Sequence, residues 1–177
     1  MRRADLLALT GVTEQGFSAL AHRNALPFSR KPGQSKTWTD YPASDLLRLD
    51  LAIACSQLGH TKVQAAGLVR GGFPDLAAAA RRSRANDEIY FGIVGFGDRH
   101  REAGAESATA TVSFVGSAGS IFRQIQAYTA RTSDTLFSLV LINVSQRLRE
   151  LKERAQQRPN GPALLLELED AWLEEEQ

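Results

Sequence analysis

Asp98 and His100 stand two residues apart in the stretch GFGDRHREAG, residues 95–104. A carboxylate beside an imidazole fixes which ring nitrogen carries the proton, and so prepares the other for acid–base work or for binding a metal. Such a pair catalyses group transfer only next to a nucleophile. No serine sits in a nucleophile elbow, and the three histidines do not fall at a metal-hydrolase spacing. The stretch opens Gly95-x-Gly97, but a dinucleotide fingerprint needs a third glycine, and His100 takes that place. The single cysteine, Cys55, lies between Ile53 and Leu58 and supplies neither a disulfide nor a thiolate cluster. No catalytic residue and no metal site is therefore expected. The loop GSAGS, residues 116–120, precedes a helix pattern, where backbone N–H groups can hold an anion. It lacks the lysine of a P-loop, and a turn capped by Ser117 is the plainer expectation.

A second group of residues suits recognition instead of reaction. Thr13, Gln15, Ser18, His22 and Arg23 recur along the polar side of one helix-length run. A glutamine can pair both its amide groups with an adenine edge, and Arg, Lys and His can meet phosphates. Arg30, Lys31 and Lys36 stand in a turn-rich stretch just beyond.

These groups need elements to hold them. Leu6, Leu7 and Leu9 give a short first helix one apolar face, and Gly11 ends it. Thr13 is a good N-cap for a second helix from Glu14 to about Arg23, with Phe17 and Leu20 inward. Asn24 suits a left-handed close, and Pro27 prevents continuation. The stretch FSRKPGQSKTWTDY, residues 28–41, reads as a two-stranded ribbon around Pro32-Gly33. Ser44 or Asp45 is expected to cap a third helix with Leu46, Leu49, Ile53 and Leu58 inward, ended by Gly59. A fourth helix starts at Thr61.

Thr10-Gly11-Val12-Thr13 through Ala25-Leu26-Pro27, then Trp38, Tyr41, Asp45-Leu46 and Leu58-Gly59, resembles the winged helix-turn-helix DNA-binding domain of the MerR family of transcription regulators. The likeness covers about residues 1–72. It implies that Thr13, Gln15 and Ser18 face the major groove, while His22, Arg23, Arg30, Lys31 and Lys36 meet phosphates. The family's mid-helix Arg-Tyr-Tyr is replaced here by Ser18-Ala19-Leu20, and the arginine near its wing's end by Thr39.

Charge divides the chain. Residues 1–86 hold 12 Lys and Arg against 6 Asp and Glu, and residues 87–177 hold 9 against 14, within a net charge of +1 over 177 residues. A basic half joined to an acidic half suggests two modules with different partners. Residues 73–86 begin at Phe73-Pro74 and read as a linker or short helix, too short and alanine-rich for a coiled coil. Beyond them, EIYFGIVGFG, TATVSFVG and TLFSLVLINV read as strands, and PALLLELE as a fourth. Helix patterns lie between: SIFRQIQAYTA, with Ile121, Ile125 and Tyr128 on one face, and SQRLRELKERAQQ, with Leu148 and Leu151. The alternation predicts a parallel sheet covered on both faces. The connection after the first strand is short for a crossover, so an antiparallel first pair stays open.

Asp98-x-His100 after the first strand of this half is similar to the signature of the cobalamin-binding, flavodoxin-like domain that some MerR regulators carry. The likeness implies His100 as an axial ligand to cobalt, Asp98 as the group orienting its ring, and Ser145 as a second contact to cobalamin. The signature's glycine falls one residue late, at Gly104, and its later Gly-Gly is absent.

The expected fold is α/β overall: a mostly α winged helix-turn-helix over 1–72, then a small flavodoxin-like α/β domain over 87–177 for dimerisation or effector sensing. The expected function is sequence-specific, non-enzymatic regulation of transcription. The partners are double-stranded DNA and, through the C-terminal domain, a second copy; the setting is cytoplasmic, with no membrane segment. The alternative is a protein-interaction or ligand-sensing adaptor that no longer reads DNA, with a protein partner or cobalamin-like ligand.

Overall fold

The computed structural model describes residues 1–29, 40–83, 87–97, 110–132, 134–169 and 171. Helix α1 (Arg3–Thr10) ends at Gly11, whose φ of 71° is the left-handed corner a side chain would strain. Thr13 then accepts the Gly16 N–H at 3.0 Å and starts α2 (Glu14–His22), as its sequence position predicts. Asn24, at φ 50°, turns the chain out of α2, and Ala25 N–H closes on the Leu20 carbonyl at 2.8 Å.

Helix α3 (Ala43–Gln57) starts behind Pro42, with no side-chain cap. The expectation of a cap at Ser44 or Asp45 is thus two to three residues late. Both residues lie inside the first turn, where Asp45 favours the helix dipole and pairs with Arg48. Leu58 is 49% exposed instead of inward, because α3 stops before it and Gly59 (φ 98°) redirects the chain.

Helix α4 runs from Lys62 to Arg82 behind a full capping box, in which Thr61 and Gln64 satisfy each other's backbone N–H groups. Residues 73–82, read as linker or short helix, continue this helix through Pro74. Its buried residues include Ala65, Val69, Gly72, Phe73 and Leu76, one uninterrupted stripe. Gly72, which follows Gly71 in the helix, faces the sheet: a Cβ there would lie 2.6 Å from Phe91 Cε2 and 2.9 Å from Ser113 Oγ. The helix therefore approaches the sheet at Gly72 with no room for a methyl group. Gly72→Ala is expected to lower stability by about 1–3 kcal/mol, overpacking outweighing the gain in helix propensity. Urea unfolding of the variant checks this, and Gly71→Ala, which meets nothing within 4 Å, is the comparison.

Three strands follow: β1 (Tyr90–Gly97), β2 (Ala110–Gly116) and β3 (Thr135–Asn143), in the order β2-β1-β3. Both pairings are antiparallel, with Phe91 opposite Val115 on one side and Ile142 on the other. The expected flavodoxin-like parallel sheet is thereby corrected. The antiparallel alternative for the first pair is what forms, and β3 returns along β1's other edge. Helix α5 (Ala118–Thr132) joins β2 to β3, two strands that run the same way with β1 between them. This split crossover produces the strand–helix alternation that suggested a parallel sheet.

The segment PALLLELE is not a strand. It lies in α7 (Gly161–Glu169), which follows α6 (Val144–Gln156) and buries Leu164 and Leu168 one helical turn apart. The run lacks β-branched residues, and a short apolar run alone does not separate strand from helix.

One sheet face, through Phe91, Ile93, Val115 and Ile142, joins a hydrophobic cluster that also holds Leu6, Leu46, Val69, Leu151 and Leu168. Residues from both sides of 73–86 thus share one core. The other face carries Val94 and Phe96 beneath Ile121 and Ile125 of α5, with Tyr128 stacked on Phe96 at 4.4 Å. Ionic ties fasten α6 and α7 to the N-terminal helices. Arg147 grips Asp50 of α3 through two nitrogens, Arg154 donates to the Leu9 carbonyl at 2.8 Å, and the Met1 ammonium meets Glu167 at 2.6 Å. The structure is mixed α/β, with seven helices and a three-stranded antiparallel sheet among the described residues.

Candidate nucleic-acid interface

Phe17, fully buried against Tyr41 in an edge-to-face contact of 6.0 Å, pins α2 to the core. Around the rest of the helix, Thr13, Gln15, Ser18, His22 and Arg23 are all exposed. The structure therefore brings Gln15, Ser18 and His22 to one helix face, with Thr13 and Arg23 at the two ends of the helix. Positions 15, 18 and 22 repeat at helical spacing, and Arg23 stands at the C-cap. Thr13 spends its hydroxyl on the cap. Gln15, His22 and Arg23 make no side-chain hydrogen bond among the described residues.

Ser18 does have a partner. Arg3 of α1 reaches across the turn, donates to Ser18 Oγ at 3.4 Å, pairs with Glu14 at 2.5 Å and lies 4.8 Å from the centre of the Phe17 ring. Sequence reasoning missed Arg3, because nothing in its local spacing reports that α1 docks it beside α2. A guanidinium thus stands on the surface of α2, where Ser18, Ala19 and Leu20 bring no charge of their own. Arg70 of α4 is a second missed residue: it donates to the Leu26 carbonyl at 2.7 Å and holds the exit from α2 in place.

Arg30, Lys31 and Lys36 lie outside the described residues, as does most of the expected ribbon. Its returning end is described. Asp40 bridges Arg2, and Tyr41 N–H bonds the Met1 carbonyl at 2.8 Å. Behind α2, a half-open cleft of about 310 Å³ is lined by Val12, Leu20, Leu49, Ala52 and Ile53, with Lys62 among its polar residues.

The cofactor candidates fare differently. Asp98 and His100 lie outside the described residues. Ser145 sits in the first turn of α6, and its hydroxyl accepts the Ile89 N–H at 3.0 Å. That bond joins the segment before β1 to the end of β3, so the hydroxyl is committed to the fold. The antiparallel sheet also lacks the parallel strands whose carboxyl ends would cradle a corrin ring. Ser145 and the sheet do not fit cobalamin. Nearby, Glu88 is held below the usual carboxylate range by hydrogen bonds from Asn143 and Arg149. The GSAGS loop is a strand-to-helix turn in which Ser117 Oγ accepts the Ser120 N–H at 3.3 Å, the plainer of its two readings. Burial pushes the Cys55 thiol up to about 11, so at neutral pH it is a protonated core side chain. Among the described residues no group of three or more His, Cys, Asp or Glu side chains could hold a metal ion, and no helix is long and apolar enough to cross a membrane.

The chain matches no protein-family model, no curated protein and no solved structure.

Proposed function

We propose that this chain is a sequence-specific DNA-binding regulator of MerR type, with α2 as its reading element. One observation carries the reading: α2 is anchored by a single fully buried side chain, Phe17, and turns a polar face of Gln15, Ser18, His22 and Arg23 to solvent. Gln15 suits an adenine edge in the major groove; His22 and Arg23 suit phosphates. In this reading Arg3 supplies beside α2 a charge that the helix lacks at its centre, and residues 30–39 add further phosphate contacts. The C-terminal half braces α1 and α3 from behind and provides dimerisation. Selection from random duplexes, followed by sequencing, is expected to enrich one short motif; a pool that stays random would refute sequence reading.

A second reading belongs to another class. Arg3 is already held by Glu14 and Ser18, and the cleft of about 310 Å³ behind α2 is within the size range of small-molecule sites. These favour an adaptor that senses a small ligand or protein partner without touching DNA. In that case the same selection enriches nothing.

A further inference from the structure

Strand β3 is one edge of the sheet, and its sequence TLFSLVLIN has no charged residue and no proline. Natural edge strands normally carry such residues to prevent pairing with another chain. The apolar side chains here are also uncovered: Leu136 is 43% and Phe137 78% exposed. The opposite edge strand, β2, is packed against α4, with Gly72 seated on Phe91 and Ser113. The backbone of residues 136–142 makes no hydrogen bond outward from the sheet among the described residues.

We propose that β3 pairs antiparallel with β3 of a second copy of this chain, giving a two-fold dimer with one continuous sheet. The inference deepens the proposed regulator, which needs two reading helices for a two-fold site, and takes only its purpose from that reading. Three features select a second copy as the occupant. An antiparallel pairing of identical strands is self-complementary under a two-fold axis, so each contact occurs twice. A strand without charge meets no repulsion from itself. The two-fold also sets the N-terminal end of one β3, with Asp134, beside the C-terminal end of the other. There α6 begins, with Arg149 about half exposed and already paired with Glu88 and Gln146. An acidic side chain is favourable at a helix start. The bulge opposite Gly95 and Phe96 leaves Phe137 as the extra residue of β3, turned out as an anchor at the rim of the pairing. A nine-residue strand covers less than the roughly 800 Å² per partner of a standard interface, so the dimer is expected to be concentration-dependent.

Sedimentation of the full chain without DNA, over a wide concentration range, tests this. The native protein is expected to move from monomer to dimer. Phe137→Glu is expected to weaken the dimer by roughly tenfold to a hundredfold, the loss from one aromatic anchor leaving its cover. Leu166→Glu, on exposed α7 away from β3, is expected to change nothing. Phe137 is so exposed that the variant should fold, and circular dichroism checks it. A native monomer at all concentrations would overturn the proposal, as would a dimer indifferent to Phe137→Glu. Either result leaves DNA reading by α2 to be judged by the selection alone.

Discussion

Asp50→Ala is expected to lower the unfolding free energy by about 3–5 kcal/mol, the cost of leaving one partner of a buried ion pair alone. Asp50 is 2% exposed on α3 and accepts from two nitrogens of Arg147 on α6, with Arg154 4.0 Å away. The Arg147 guanidinium is held charged still more firmly than usual, chiefly by its hydrogen bond to Asp50. Without the carboxylate, that charge stays partly buried with only the weaker field of Glu150 to offset it. Arg147→Ala is expected to cost a similar amount for the opposite reason, a carboxylate stranded in the core. The double variant Asp50→Leu with Arg147→Met should recover most of the loss, since apolar replacement of a buried pair is often neutral. Urea unfolding of the single variants Asp50→Leu and Arg147→Met beside the double variant closes the cycle. Full additivity of the single losses would show that the pair does not couple α3 to α6. Because one hydrophobic cluster spans both halves, unfolding is expected as a single transition.

Gln15→Ala should reduce affinity for the motif enriched from random duplexes by a factor corresponding to ~1–3 kcal/mol, the worth of a two-point contact to one adenine. Binding to unrelated duplex should stay the same, because a base contact contributes little there. Arg23→Ala is expected to do the reverse. It should weaken binding to every sequence evenly and reduce the salt slope by about 1. Both side chains are exposed and make no described hydrogen bond, so neither change should affect stability. Equal losses on motif and random duplex for Gln15→Ala would place α2 outside the major groove.

Much of the first half was legible because its signals are local. Gly11, Thr13 and Asn24 each act on the residues beside them, and all three do in the structure what their types predict. The register of Phe17 against the polar positions followed from helical spacing. What failed depended on distant partners. Gly71-Gly72 and Pro74 are breakers by type. The stripe from Ala65 to Leu76 carries the helix through them, because the sheet needs Gly72's bare backbone. The parallel sheet was inferred from alternation, which a split crossover imitates. Strand order is set by which edges of β1 are filled, and no local pattern reports that. Arg147 lies 97 positions from Asp50, and Arg3 meets Ser18 only after α1 and α2 have docked. Ser145 stood where the cobalamin likeness placed a ligand contact, yet its hydroxyl closes the junction of β1 and α6. Residue type alone does not separate those roles.

We propose that α2 and the basic residues near it grip duplex DNA. Fluorescence anisotropy of a labelled duplex bearing the enriched motif, titrated with the full chain over a series of salt concentrations, tests it most directly. Log affinity is expected to fall linearly with log salt, as phosphate contacts release counterions, with a smaller slope for Arg23→Ala. An affinity that does not respond to salt, or no binding at low salt, would show that α2 does not grip the phosphate backbone.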